Sequence, residues 1–202
     1  MSFTVRNHTL EFNGDAVDFV PTTNQGGAFR PQYLVLHYTA GMTAAGAVAW
    51  LAQPASQASA HLVIDRNGNI TQMVRFNRIA WHAGRSEWAG LEGMNRHSIG
   101  IELVNAGRLI KVGDTWQNWA GNVIPADQVV EAPHKHGNVV AGWHAYPAAQ
   151  IKVALEVALA LHSAYGFYDV VGHEDVSRGR RVDPGPAFPM LSFAARVLGR
   201  GD

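Results

Sequence analysis

The 202-residue sequence predicts a single α/β domain: a central mixed sheet flanked by helices, with one surface insertion. Three observations carry this reading. Apolar strand-like runs alternate with helical segments along the whole chain, which favours a mixed sheet covered by helices. The length suits one large domain, and no repeat, low-complexity block or linker divides it. With 47% apolar residues, a core can form without covalent staples, and there is no cysteine to make any.

The elements follow in order. Tyr33-Leu34-Val35-Leu36 reads as a buried strand that ends in His37-Tyr38-Thr39. The Ala-rich stretch from Thr43 to Gln53, closed by Pro54, reads as a short helix. Residues 60–64 and 70–74 flank Asn67-Gly68-Asn69, a strong hairpin signal. Ser98 to Val104 reads as another strand, with Glu102 inside it. Residues 105–146 read as irregular, holding a small hairpin (109–112 with 115–119) and a long surface excursion. Pro147 opens the strongest helix, which runs to Tyr165 and stops at Gly166. Val170 to His173 is a short strand, and Ala187 to Leu198 a final helix.

Composition excludes several classes. Sixteen Lys and Arg balance sixteen Asp and Glu, so no basic excess points to nucleic acid. Without cysteine there is no thiol nucleophile, iron–sulfur cluster or Cys-held zinc, and any metal must be bound by His and carboxylate. No Walker or G-x-S-x-G motif is present. Asp65-Arg66-Asn67-Gly68-Asn69 begins like a calcium loop, but Phe76 stands where the twelfth-position Glu is required. The first thirty residues lack the basic start and apolar run of a secretory signal, and the most apolar helical stretch, 151–161, is too short to span a bilayer. A cytoplasmic protein is the expectation.

Two histidines end strands, His37 and His173, and Asp183 follows in a loop stiffened by Pro184, Gly185 and Pro186. Two His and one carboxylate form a catalytic metal set that leaves one position open. The same spacing also fits two strand-capping histidines and an aspartate that simply opens a turn, because no short His-x-x-x-His anchor ties the set together. His134, His136 and His144, in the Gly-rich excursion, match no ligand motif and read as solvated loop histidines.

VLHYTAG (35–41), SAHLVIDRNGNI (59–70), AWHAGRS (80–86), NRHSIGIEL (95–103) and VVGHEDVSRGRRVDPGPAFPM (170–190) together resemble the type 2 N-acetylmuramoyl-L-alanine amidases. That family includes anhydro-muropeptide amidases of cell-wall recycling, phage endolysins and peptidoglycan recognition proteins. The resemblance runs in order from Tyr33 to Met190, omitting much of 105–146. It implies one zinc ion per chain held by His37, His173 and Asp183, with Glu102 as the catalytic carboxylate. Arg181 stands where many members carry a catalytic Lys. A guanidinium is always protonated, so it can stabilise an oxyanion but cannot shuttle a proton. The resemblance also puts Trp81, His82, Ala83 and Gly84 along the substrate groove. Tyr38 and His61 are assigned there too; for Trp81, His82 and Tyr38 the alternative is a place in the core.

The implied activity is zinc-dependent hydrolysis of the amide between N-acetylmuramic acid, or its 1,6-anhydro form, and L-alanine, in peptidoglycan or soluble muropeptides. The alternatives are a non-catalytic peptidoglycan-binding module on the same fold and an interaction protein that docks through 105–146. A phage endolysin that reaches the wall by another route is the alternative to a cytoplasmic enzyme. Residues 105–146 are expected to tune substrate choice rather than chemistry, since long loops in compact domains are commonly functional.

Overall fold

The computed structural model describes residues 2–200, so Met1, Gly201 and Asp202 of the expected 1–202 unit lie outside the described residues. A six-stranded mixed sheet runs in the order Asp169–Gly172, Tyr33–Tyr38, Ser98–Leu103, Leu62–Ile64, Ile70–Gln72, Asp18–Phe19. Its first four strands are mutually parallel. The hairpin around Asn67-Gly68 reverses the direction, with Val63 opposite Thr71, and Asp18–Phe19 runs parallel to its second strand.

Tyr33–Tyr38 lies at the second position of this sheet, and its apolar run is buried from Tyr33 to Leu36 because both faces are covered. Alternation along the strands divides the side chains. Leu34, Leu36, Ile99 and Ile101 pack beneath the helices Ala148–Tyr165 and Met190–Leu198. Tyr33 and Val35 face the other way, with Ala83, Met94, Val171 and Val176. His37 continues the Val35 face. Strand register then sets the site: Glu102 pairs with His37, and Gly172 pairs with Leu36, so His173 follows at the level of His37. Three adjacent parallel strands thus deliver His173, His37 and Glu102 to the same carboxyl edge, where open α/β sheets form their ligand crevices.

The expected helices are present. Ala44–Ala52 is capped by Thr43, whose hydroxyl accepts from the Gly46 N–H. Ala148–Tyr165 starts after Pro147 and ends at Gly166 in the left-handed conformation. The last helix begins at Met190 rather than Ala187, because Pro189 occupies its N-cap. His173 is not the end of its strand but the first residue of a one-turn helix, His173–Val176. No helix among the described residues is long and apolar enough to cross a membrane.

The 105–146 segment corrects the sequence reading most. It is a five-stranded antiparallel sheet, ordered Val123–Ile124, Thr115–Gln117, Arg108–Val112, Val140–His144, Val129–Pro133. Ala106, Leu109 and Ile124 form its small core with Trp116 and Val129. It also braces the main domain: the Tyr146 hydroxyl donates to the Pro184 carbonyl (2.8 Å), beside Asp183. The Tyr38 ring lies on Gly107, where an added Cβ would come within 2.4 Å of it.

Candidate metal centre and groove

His37, His173 and Asp183, all buried, converge. The two Nδ1 atoms stand 2.9 Å apart, and Asp183 Oδ2 lies 3.2 Å from His37 Nδ1 and 3.0 Å from His173 Nδ1. What the other ring nitrogens do fixes the protons. His173 Nε2 is 3.2 Å from the Ala83 carbonyl, which can only accept, so a neutral His173 carries its proton there. His82 Nε2 donates to the Ser98 carbonyl (3.2 Å), since the nearby Ser98 hydroxyl spends its own proton on the Met94 carbonyl (2.6 Å). His82 Nδ1 is therefore bare and accepts from His37 Nε2–H at 3.0 Å.

In their neutral forms both rings turn unprotonated Nδ1 lone pairs toward a carboxylate oxygen. Burial, reinforced by His173, lowers the His37 pKa to about 4, and burial with His37 close by lowers His82 further from its ordinary value. Burial alone would raise the Asp183 carboxyl, but its contacts with His173 and His37 outweigh it and hold the group well below the usual carboxylate range. Three lone pairs thus meet at one buried point, with a proton disfavoured on His37 at neutral pH, a donor set that could hold a metal cation. Hydrogen bonds that aim each imidazole are the usual outer layer of such a site.

Gly100 makes that layer possible. It sits two residues before Glu102 on the same face, and a Cβ there would stand 2.4 Å from the His82 ring. Asn95 was not singled out from sequence, yet its Oδ1 accepts from the backbone N–H of both His82 and Ala83 and holds their loop in place. Arg180 was missed likewise. Its guanidinium donates to the Ala83 carbonyl (2.7 Å) and the Arg85 carbonyl (2.8 Å).

A groove of about 370 Å³ opens at this candidate centre, lined by Tyr38, Ala40, Trp50, Trp81, His82, Glu102, Arg180, Arg181, His37, His173 and Asp183, among others. Glu102 is half-buried, and its Oε2 is enclosed with no hydrogen-bond partner among the described residues. Burial raises its pKa to about 8; the nearby Asp183 charge adds to the rise and Arg181 opposes it. Arg181 itself is exposed.

The expected groove residues divide. Tyr38 and Trp81 line the groove. His82 contributes to its wall, but its ring is engaged with His37 and Ser98. Ala83 is wholly buried and acts through its carbonyl. Gly84 is exposed beside the Arg180 guanidinium. His61 does not reach the groove: it has no exposed surface, its Nε2 donates to the Arg78 carbonyl and its Nδ1 accepts from the Gly100 N–H. His144 is likewise no solvated loop residue. It is buried, its Nδ1 accepts from the Ala106 N–H, and burial together with Arg66 lowers its pKa to about 4. His134 is occupied too, bonded to Glu174 at 2.5 Å.

Comparison with known proteins identifies the family. The chain is 32% identical over 179 residues to the N-acetylmuramoyl-L-alanine amidase AmiD of Escherichia coli, which covers 84% of this chain and 54% of AmiD. It is 34% identical over 142 residues to the 1,6-anhydro-N-acetylmuramyl-L-alanine amidase AmpD of the same organism, covering 69% of this chain and 57% of AmpD. The chain thus spans little more than half the length of these curated relatives. The solved complex of E. coli AmiD with anhydro-N-acetylmuramic acid-L-Ala-D-γ-Glu-L-Lys superposes with a TM-score of 0.62 at 26% identity, covering all of this chain and 67% of that one. A family model described as N-acetylmuramoyl-L-alanine amidase matches residues 27–186, which include every ligand candidate, Glu102 and Arg181. The chain belongs to the N-acetylmuramoyl-L-alanine amidase family.

Proposed function

We propose that this protein hydrolyses the amide between N-acetylmuramic acid, or its 1,6-anhydro form, and L-alanine, using one zinc ion held by His37, His173 and Asp183. The observation that carries this is the convergence of three bare donor atoms beside an unpartnered carboxylate in one groove. The donor set suits zinc: two imidazoles, one carboxylate and an open fourth position. Tetrahedral donors with bonds of about 2.0–2.1 Å stand about 3.3 Å apart, and the observed 2.9–3.2 Å needs only slight spreading. When bound, zinc lowers the pKa of water and polarises a carbonyl.

The chain's own groups do the rest. Glu102 Oε2 takes a proton from the attacking water and returns it to the departing amine. Its raised pKa describes the carboxyl without a neighbouring cation, and a dication beside it favours the ionised base. Arg181 faces the groove as a permanent cation and stabilises negative charge on the carbonyl oxygen, with no part in proton transfer. Trp81 and Tyr38 line the walls against which the glycopeptide lies. The substrate is peptidoglycan or a soluble muropeptide.

The test is product analysis. Zinc-loaded protein incubated with 1,6-anhydro-muropeptide is expected to release free L-alanyl peptide, to stop on chelation and to resume when zinc is returned. A chain with one zinc bound that releases no peptide from either soluble muropeptides or sacculi would contradict the proposal.

A further inference from the structure

Trp119 is 77% exposed, yet its indole is not free to swing: Nε1–H donates to the Ala40 carbonyl at 2.7 Å. Ala40 lines the groove, and so does Trp50, itself 57% exposed. Isolated exposed aromatics need no explanation. Here Trp119 is bonded to the short loop Thr39–Thr43, whose Thr39 and Ala40 line the groove together with Trp50; the loop connects the His37 strand to the first helix and bears no charged residue. Met42, in the same loop, is also exposed. Trp119 belongs to the inserted sheet, so the insertion reaches the mouth of the groove at this point.

The other cavity next to the site is charged. It encloses about 730 Å³ and is lined by Arg85, Arg96, Arg178 and Arg180 together with Glu87, Glu92 and Asp175, with Arg180 common to it and the groove; neither Trp50 nor Trp119 lines it. The substrate class has two chemically distinct ends, a neutral sugar and a peptide stem with carboxylates. Guanidinium groups suit the carboxylates. A fixed, uncovered indole face suits the C–H face of a pyranose, because an aromatic ring offers large rigid contact at low conformational cost.

We propose that Trp119, with Trp50, forms a stacking platform for a neutral saccharide unit next to the muramoyl residue, so that the insertion extends the groove along the glycan strand. This rests on the proposed amidase function, but its test does not require hydrolysis. The N-acetylglucosamine tetramer contains no scissile lactyl-peptide amide and carries no charge. Titrated calorimetrically into zinc-loaded protein, it is expected to bind the parent saturably, and Trp119→Ala to raise its Kd about tenfold or more, a change of ~1.4 kcal/mol. Trp119→Phe, which keeps a ring, is expected to lie between the two. Should Trp119→Ala lower the melting temperature, Trp50→Ala serves in its place with the same expectation.

A parent that takes up no tetramer, or an alanine variant that binds it as the parent does, overturns the platform. The two proposals fail separately. Tetramer binding lost in Trp119→Ala without peptide release from muropeptides would uphold the platform and refute the amidase. Peptide release with tetramer binding indifferent to the Trp119 ring would do the reverse.

Discussion

Two clusters of histidine and carboxylate share one turn of backbone, and they end differently. His173 turns inward to meet His37 and Asp183. The next two residues, Glu174 and Asp175, turn toward the insertion, where they meet His134, Lys135 and His136. By residue type the second cluster is the richer in metal ligands. Its carboxylates, however, are already answered by a protein cation: Lys135 Nζ lies 2.8 Å from both Glu174 Oε1 and Asp175 Oδ1, and His134 takes Glu174 Oε2. In the first cluster no Lys or Arg reaches the three donors among the described residues, and the outer ring nitrogens are spent elsewhere. What sets the first cluster apart as the candidate metal site is lone pairs that converge without a cation of the protein's own, not a count of ligand-type residues.

The comparison can be sharpened by variants that act on one cluster at a time. The largest effect is expected at Glu102, which stands beside the first cluster without belonging to it. Glu102→Gln keeps size but removes the proton acceptor, and turnover should fall on the order of 10²–10⁴-fold with zinc content unchanged. Kinetics alongside metal analysis would expose the alternative, a loss of zinc together with rate. Next comes His82→Ala, which deletes the acceptor for His37 Nε2–H; zinc affinity should weaken about 10–100-fold in a competition titration.

Lys135→Met addresses the second cluster. It leaves Glu174, which is 2% exposed, short of its strongest partner, but the Lys135 side chain is 39% exposed and solvent offsets part of the loss. A stability decrease of about 1–2 kcal/mol in denaturant unfolding is expected. Zinc affinity should move far less than in His82→Ala.

A smaller, graded effect separates His61 from both clusters. Burial lowers its pKa to about 4, so the unfolded chain takes up a proton near pH 6.5 while the folded chain does not. Its contribution to stability is complete above pH 6.5 and is lost progressively as the pH falls toward 4. His61→Gln should flatten that part of the stability–pH curve. An unchanged slope would show that other groups, His144 among them, carry it.

Much of this was legible in the sequence, for identifiable reasons. His37 and His173 follow apolar runs whose period and length mark strands, and Asp183 stands in a Pro- and Gly-rich loop motif. The Asn67-Gly68 hairpin and the Pro147-to-Gly166 helix are written in local turn and cap chemistry. The inserted sheet was not legible beyond its first hairpin, because its strands are short and expose Ile110, Val112, Val123 and Val140. The layer behind the candidate metal centre also escaped. That His82 sits over Gly100, or that His61 and His144 are buried, depends on strand register and on backbone partners far along the chain.

The central claim is that His37, His173 and Asp183 form a cation site while the Lys135 cluster does not. Zinc titration of the metal-free chain, run in parallel with His173→Ala and Lys135→Met, tests it most directly. One zinc ion per chain is expected for the parent and for Lys135→Met, with tight binding abolished in His173→Ala. A parent that binds no zinc, or a His173→Ala chain that keeps one ion as tightly as the parent, would contradict it.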